Sequence, residues 1–368
     1  MDPRVTYMQF VEGVQTRTGE QQFVTGVSQM FPWFGKLRLQ GDVARSKAMQ
    51  SLQSYRSNML DVRERVQSAW YRLAYEQAAF ALAEEDKRTI EQTLEAAAAL
   101  YGSGQRGRGT LLQSQTELAR IENELTGYPA RITALRVEIA SLLFVTHIGD
   151  VPQLDDPLVE SVVLPDSDVL IAEAIALRPE IERFRLGEEQ AELRHELARK
   201  DYYPDPTLGL NFVGVGDRPD NPTGAMAPSD EGEDAWGVSL GFNIPIPNAR
   251  RRAAKQQALR QREEAEWRRI AAESEIEEEV QSILPRLASI DQQLEIIRNN
   301  LLPLAEEAYA TNQAGYTSGS ATFLDLLESQ RTLIGVRRDL LRTRRDNLLA
   351  IAELERVVGG SLTMEELP

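Results

Sequence analysis

The groups in this 368-residue chain best placed to do chemistry are acids. Asp325 and Glu328 stand three residues apart, just after a Gly-containing bend between helical stretches. Residues three apart share a helix face, so the two carboxylates would form one negative patch that attracts cations. A plainer reading is equally open. Asp325 is the third residue of a helix headed by Thr322, where an acid is favoured anyway, and Glu328 suits a solvated surface. Little else is chemically poised. The sequence contains no nucleophile–base pair, phosphate loop or metal motif. His147 and His195 are solitary and far apart, and each reads as structural or exposed. Arg250, Arg251, Arg252 and Lys255 read as a solvated helix end. The expectation is a protein that is not an enzyme and holds no cofactor or metal.

Composition narrows the class. The net charge of −16 argues against nucleic acid as the main partner. The chain has 42% apolar residues, too many for a disordered chain, and no cysteine, so no disulfide framework or thiolate site. It has no run of eighteen apolar residues that would cross a membrane as a helix, and no signal peptide opens it.

The elements that position the acids come in duplicate. Tyr316–Leu333, YTSGSATFLDLLESQRTL, repeats Tyr101–Leu118, YGSGQRGRGTLLQSQTEL, with Tyr, Ser, Gly, Leu-Leu, Ser-Gln and Leu in register. Each copy reads as the bend of a helical hairpin. Tyr-x-Ser-Gly ends the first helix, because glycine supplies the left-handed conformation of a helix C-terminus. Thr110 with Gln113 reads as a capping box starting the return helix, and Thr322 with Asp325 as a near variant.

In chain order, two strands are expected at 4–11 and 22–31, then Phe31-Pro32-Trp33-Phe34-Gly35-Lys36, then a helix from about 39 to 100. Leu52, Tyr55, Met59, Val62, Val66, Ala69 and Leu73 recur at steps of three and four, a coiled-coil seam. About 60 residues at 1.5 Å each make a rod of roughly 90 Å. A single helix over 110–144 follows, then a Pro- and Asp-rich segment with a short helix at 167–176, and a helix at 179–200. Helices 110–144 and 180–200 together match the rod's length and should stack end to end against it. Strands at 207–215 and 236–244 begin a second unit, with helices at 249–314, kinked by Pro285 and Pro303, and at 322–358. The expected division is 1–38 first hairpin, 39–145 first helical hairpin, 146–178 equatorial segment and 179–204 upper helix. It continues with 205–248 second hairpin, 249–358 second helical hairpin and 359–368 tail.

The second strand pair is informative. Leu208, Leu210 and Phe212, then Trp236, Val238, Leu240 and Phe242, alternate with small or polar residues. Large apolar residues facing outward suit lipid, with Trp236 as an interface aromatic. The other reading is a soluble sandwich whose apolar face packs on helices, but rods leave no spare helical face for that. Four strands cannot close a barrel alone, so the barrel must be shared between chains. The fold class is therefore mainly α with a β-barrel portion, built as two repeats.

Two strand hairpins, each followed by a Pro-containing turn and a long helical hairpin, resemble the TolC-type outer-membrane efflux channels. The most specific pieces are Phe31–Lys36, Leu177-Arg178-Pro179-Glu180, and Gly315-Tyr316 through Ser329-Gln330-Arg331. The resemblance implies a homotrimer with a twelve-stranded β-barrel in the Gram-negative outer membrane and an α-helical barrel across the periplasm. It also implies a periplasmic adaptor and an inner-membrane pump. The FPWFGK turn looks like the heavy-metal branch served by resistance-nodulation-division pumps. A type I protein-secretion duct and a soluble coiled-coil scaffold are the competing functions.

Residue roles follow from the resemblance alone. Asp325 and Glu328 match carboxylates that narrow the periplasmic entrance, and Tyr316 a tyrosine that helps hold it closed. Tyr101, Gly104, Arg106, Arg108, Ser318 and Gly319 match helical tips that meet the adaptor. Ala321 stands where an arginine often restrains the gate, and Thr110 where its carboxylate partner sits, so that salt bridge cannot form here. Arg106 and Arg108 are the substitutes at hand. In the family a helix also precedes the first strand pair. The expectation is that the start of the chain is cut short, leaving the last helix without its stacking partner and the upper end of the second rod poorly packed.

Overall fold

In a computed structural model, the described residues are 2–102, 108–145, 165–218, 229–246 and 248–362. Four strands are seen among them: β1 (Arg4–Gln15), β2 (Glu20–Met30), β3 (Pro206–Gly216) and β4 (Ala235–Phe242). The helices are α1 (Lys36–Gly102), α2 (Arg108–Leu125), α3 (Tyr128–Leu142), α4 (Ser167–Leu177), α5 (Pro179–Lys200), α6 (Ala249–Ile296), α7 (Leu302–Ser318) and α8 (Phe323–Val358). The chain divides into two compact units, one of residues 1–52 and 182–270, the other of 53–181 and 271–368.

The first unit carries the sheet. Its order is β1-β2-β3-β4, every neighbour antiparallel. The two hairpins join along β2 and β3, from Glu20 opposite Gly216 to Met30 opposite Thr207. β1 and β4 are its open edges. Side chains alternate cleanly. One face carries Val5, Tyr7, Val27, Leu208, Leu210, Trp236, Val238, Leu240 and Phe242, all exposed. The other carries small and polar residues, tight at Gly26 and Gly209 but open at Gly237 and Gly241. A Cβ on Gly26 would lie 2.4 Å from Asn211 Oδ1, and one on Gly209 2.5 Å from Ser239 Oγ.

Asp205 ties the foot of the sheet to the start of α1. Its carboxylate accepts from the Trp33 amide at 2.7 Å and from Lys36 Nζ at 2.9 and 3.0 Å. Burial would push Asp205 up, but these bonds prevail and hold it below the usual carboxylate range. Trp33 stacks on Tyr203 with ring centroids 5.5 Å apart, and Lys200 Nζ donates to the Phe34 carbonyl at 3.0 Å. The Phe31–Lys36 turn is thus a clamp. Along the helices of this unit, Ser46 Oγ donates to the Leu186 carbonyl at 2.7 Å and Arg269 pairs with Glu188 at 2.9 Å. Trp267 and Ile270 of α6 are exposed.

The second unit is helical. Ala69 and Leu73 of α1 pack on Ile139 and Ala140 of α3, and Ala79 and Ala83 on Tyr128. The predicted seam is buried only from this level. Leu52, Tyr55, Met59 and Val62 remain exposed, because no described helix covers that stripe. The single helix expected over 110–144 is interrupted. Gly127 caps α3, and Pro129, which lacks an N–H, sits in its first turn, so the helical ladder stops and restarts. Thr110 lies inside α2 rather than ahead of it, so the expected capping box with Gln113 is not formed. Pro285 is accommodated within continuous helix, whereas Pro303 follows a π-helical turn at Ile297–Leu301. Near the chain's end, Arg178 is buried and pairs with Glu279 at 2.7 Å and Glu180 at 3.4 Å. Gly359 ends α8 at φ 85°, against the backbone of Arg178. Val357 and Val358 beside it are buried, so this end of α8 is well packed.

Candidate functional site

The second hairpin bend is built by its own sequence. Gly319 closes α7 at φ 83°, the left-handed conformation expected of it. The chain then folds back so tightly that the Ser320 and Ala321 amides donate to the Gly315 carbonyl at 2.8 and 3.0 Å. A Cβ on Gly315 would lie 2.9 Å from that of Ala321. Thr322 and Asp325 form a reciprocal capping box at the start of α8. Asp325 Oδ2 accepts from the Thr322 hydroxyl at 2.6 Å and its amide at 2.8 Å, while Thr322 Oγ1 accepts from the Asp325 amide at 3.2 Å. The hydroxyl bond first, then the amide bond, holds Asp325 below the usual carboxylate range.

Asp325 and Glu328 are both exposed. Tyr316 is not. It is buried edge-on against Phe323, with ring centroids 5.8 Å apart, in a cluster with Ile90, Ile121, Leu326 and Leu327. The tyrosine therefore locks the bend from inside, and the acids stand outside. Arg331, one turn on, pairs with Glu117 of α2, tying the bend to the first helical hairpin. Tyr101, Arg108, Ser318 and Gly319 are exposed at helix ends. Gly104, Arg106 and His147 lie outside the described residues.

On the sheet's apolar face, the rings of Tyr7, Phe23, Phe212 and Trp236 run side by side, one from each strand. Successive centroids are 6.0, 5.9 and 4.8 Å apart. A second aromatic level, with Trp33, Phe34 and Tyr203, lies at the foot of the sheet. Trp236 and Phe242 end β4's apolar row, and six residues at about 3.3 Å separate them by roughly 20 Å. Sequence reading found Phe212 and Trp236 but missed Tyr7 and Phe23. Their signal was the phase of alternation they share with Val5 and Val27.

An open four-stranded sheet with an apolar face between aromatic levels, in a chain that also forms long helical hairpins, points to a membrane channel. A family model described as "Outer membrane efflux protein" matches residues 11–143 and 170–360. The chain belongs to this outer membrane efflux protein family. Solved structures similar to the efflux family member described here include a CusC structure, at 18% identity and TM-score 0.79, covering 98% of this chain and 82% of that one. VceC from Vibrio cholerae has 18% identity and TM-score 0.77, with 98% and 86% covered. The open state of the Neisseria gonorrhoeae MtrE outer membrane channel has 17% identity and TM-score 0.76, with 98% and 80% covered. At these identities the likeness shows the fold. No match is found among curated proteins. Among the described residues of this efflux family chain, no helix is long and apolar enough to cross a membrane, and no group of three or more potential metal ligands occurs.

Proposed function

We propose that this chain is the outer-membrane exit duct of a tripartite efflux system, working as a homotrimer with a periplasmic adaptor and an inner-membrane pump. The observation that carries the reading is the sheet. Among the described residues its two edges are unpaired, and one face is a continuous apolar surface of the kind an outer-membrane barrel turns to lipid. Backbone edges cannot stay open in a bilayer, so β1 of one chain pairs with β4 of the next. Three chains give twelve strands, with Leu208, Leu210, Phe212, Trp236, Val238, Leu240 and Phe242 toward lipid and the glycine-rich face toward the lumen. Asp325 and Glu328 then form rings of acids at the periplasmic entrance, which favour cations. The exposed helix ends at Tyr101, Arg108, Ser318 and Gly319 meet the adaptor. The likeness of the Phe31–Lys36 sequence to the heavy-metal branch favours a partner pump of the resistance-nodulation-division type.

The test is reconstitution in planar bilayers with native mass measured in detergent. A trimer giving cation-selective, stepwise conductance is the expected result. A stable lipid-inserted monomer, or a chain that never partitions into membranes, would overturn it.

A further inference from the structure

We propose that the pocket between α1, α7 and α8 is a binding site for a small organic cation. The cavity holds about 430 Å³, within the range of small-molecule sites. Its charged wall is unbalanced. Glu85, Asp86 and Glu306 supply three carboxylates, against the guanidinium of Arg337 in the wall and that of Arg338 behind it, 3.7 Å from Asp86 and shared with Glu124. Arg337 reaches Glu85 at 3.2 Å and Glu306 at 3.4 Å, so it is shared and neutralises neither fully.

A second observation is independent of this charge. Gln330 lines the same pocket, is 2% exposed, and neither polar atom of its amide has a hydrogen-bond partner among the described residues. Leaving a buried amide unsatisfied costs free energy, so a ligand bearing a donor for its carbonyl is favoured there. An ammonium has donors and positive charge together. The Tyr309 ring and the buried Leu333 side chain suit the carbon skeleton of such a ligand. A bare metal ion fits poorly, because no three potential ligand residues converge among the described residues and Arg337 lies between two of the acids.

Asp86 adds a proton linkage. Burial pushes it up to about 6, against the pull of Arg338 and Arg337 on α8 and with the repulsion of Glu85 on α1 and Glu124 on α2. A bound ammonium would hold Asp86 ionised, so binding near pH 6 releases a proton.

The test is isothermal titration of the full chain in detergent with spermidine. Saturable binding at one site per chain is expected, with proton uptake by buffer at pH 6 that disappears at pH 8. Gln330→Leu and Asp86→Asn should each weaken it at least tenfold, while Glu278→Gln, at an exposed position of α6 outside the pocket, binds as wild type. Absence of saturable binding, wild-type affinity in both pocket variants, or equal displacement by Mg²⁺ would overturn the proposal. Circular dichroism separates misfolding, and because Gln330→Leu removes a buried unpaired amide, that variant should fold.

Discussion

One oxygen of the Asp325 carboxylate serves the helix cap, while Oδ1 accepts no hydrogen bond among the described residues. The same acid can therefore cap α8 and face a cation. Asp325→Asn with Glu328→Gln should keep the fold, since an amide oxygen still accepts the cap bonds. The expected change is a reversal potential in a KCl gradient shifted toward zero, with weaker block by divalent cations. Asp86 carries the opposite kind of shift. Its folded pKa is raised to about 6 by burial, so the folded state binds this proton more tightly than the unfolded chain. Its ionisation therefore erodes stability as pH rises from about 4 through 6. Asp86→Asn should raise the unfolding free energy at pH 7.5 by on the order of 2 kcal/mol, seen as a higher melting point, and leave it nearly unchanged at pH 4. Asp205 runs the other way. Its depressed pKa contributes stability above the unfolded value, lost as pH falls through the folded one. Asp205→Ala would leave Lys36 buried without its 2.9 Å partner and should cost about 3 kcal/mol in denaturant titration.

At the level of elements, Gly359 is a sensitive point. An alanine there is strained at φ 85°, and its Cβ would sit 3.3 Å from the Arg178 Cα. Gly359→Ala should cost about 2 kcal/mol, read as a melting point several degrees lower. Gly319→Ala meets no such neighbour among the described residues and should cost only the backbone strain, about 1 kcal/mol. Glycine chemistry of this kind is local, so the bend at Gly319 and the capping box at Thr322 were legible from sequence. So were the strand faces, because a period of two fixes which side chains share a side. Two features were not. The break between α2 and α3 lay in Gly127 and Pro129, weak signals inside a strongly helical pattern. The burial of the α1 seam was misjudged above Ala69 because periodicity shows which residues share a stripe, not what covers it. The pocket at Gln330 was invisible for the same reason, since its walls come from segments far apart in sequence.

For the whole molecule, the open edges of β1 and β4 predict assembly. Native mass in detergent should correspond to three chains, and a proline in β4, such as Val238→Pro, should abolish the trimer while leaving the helical unit folded. The edges have a further consequence in genetics. A ring closed by three equivalent junctions is only as sound as its worst strand. When an edge-damaged chain and an intact one are expressed equally, about one ring in eight contains only intact chains. Such an allele should therefore behave as dominant, silencing most of the function encoded by the healthy copy beside it.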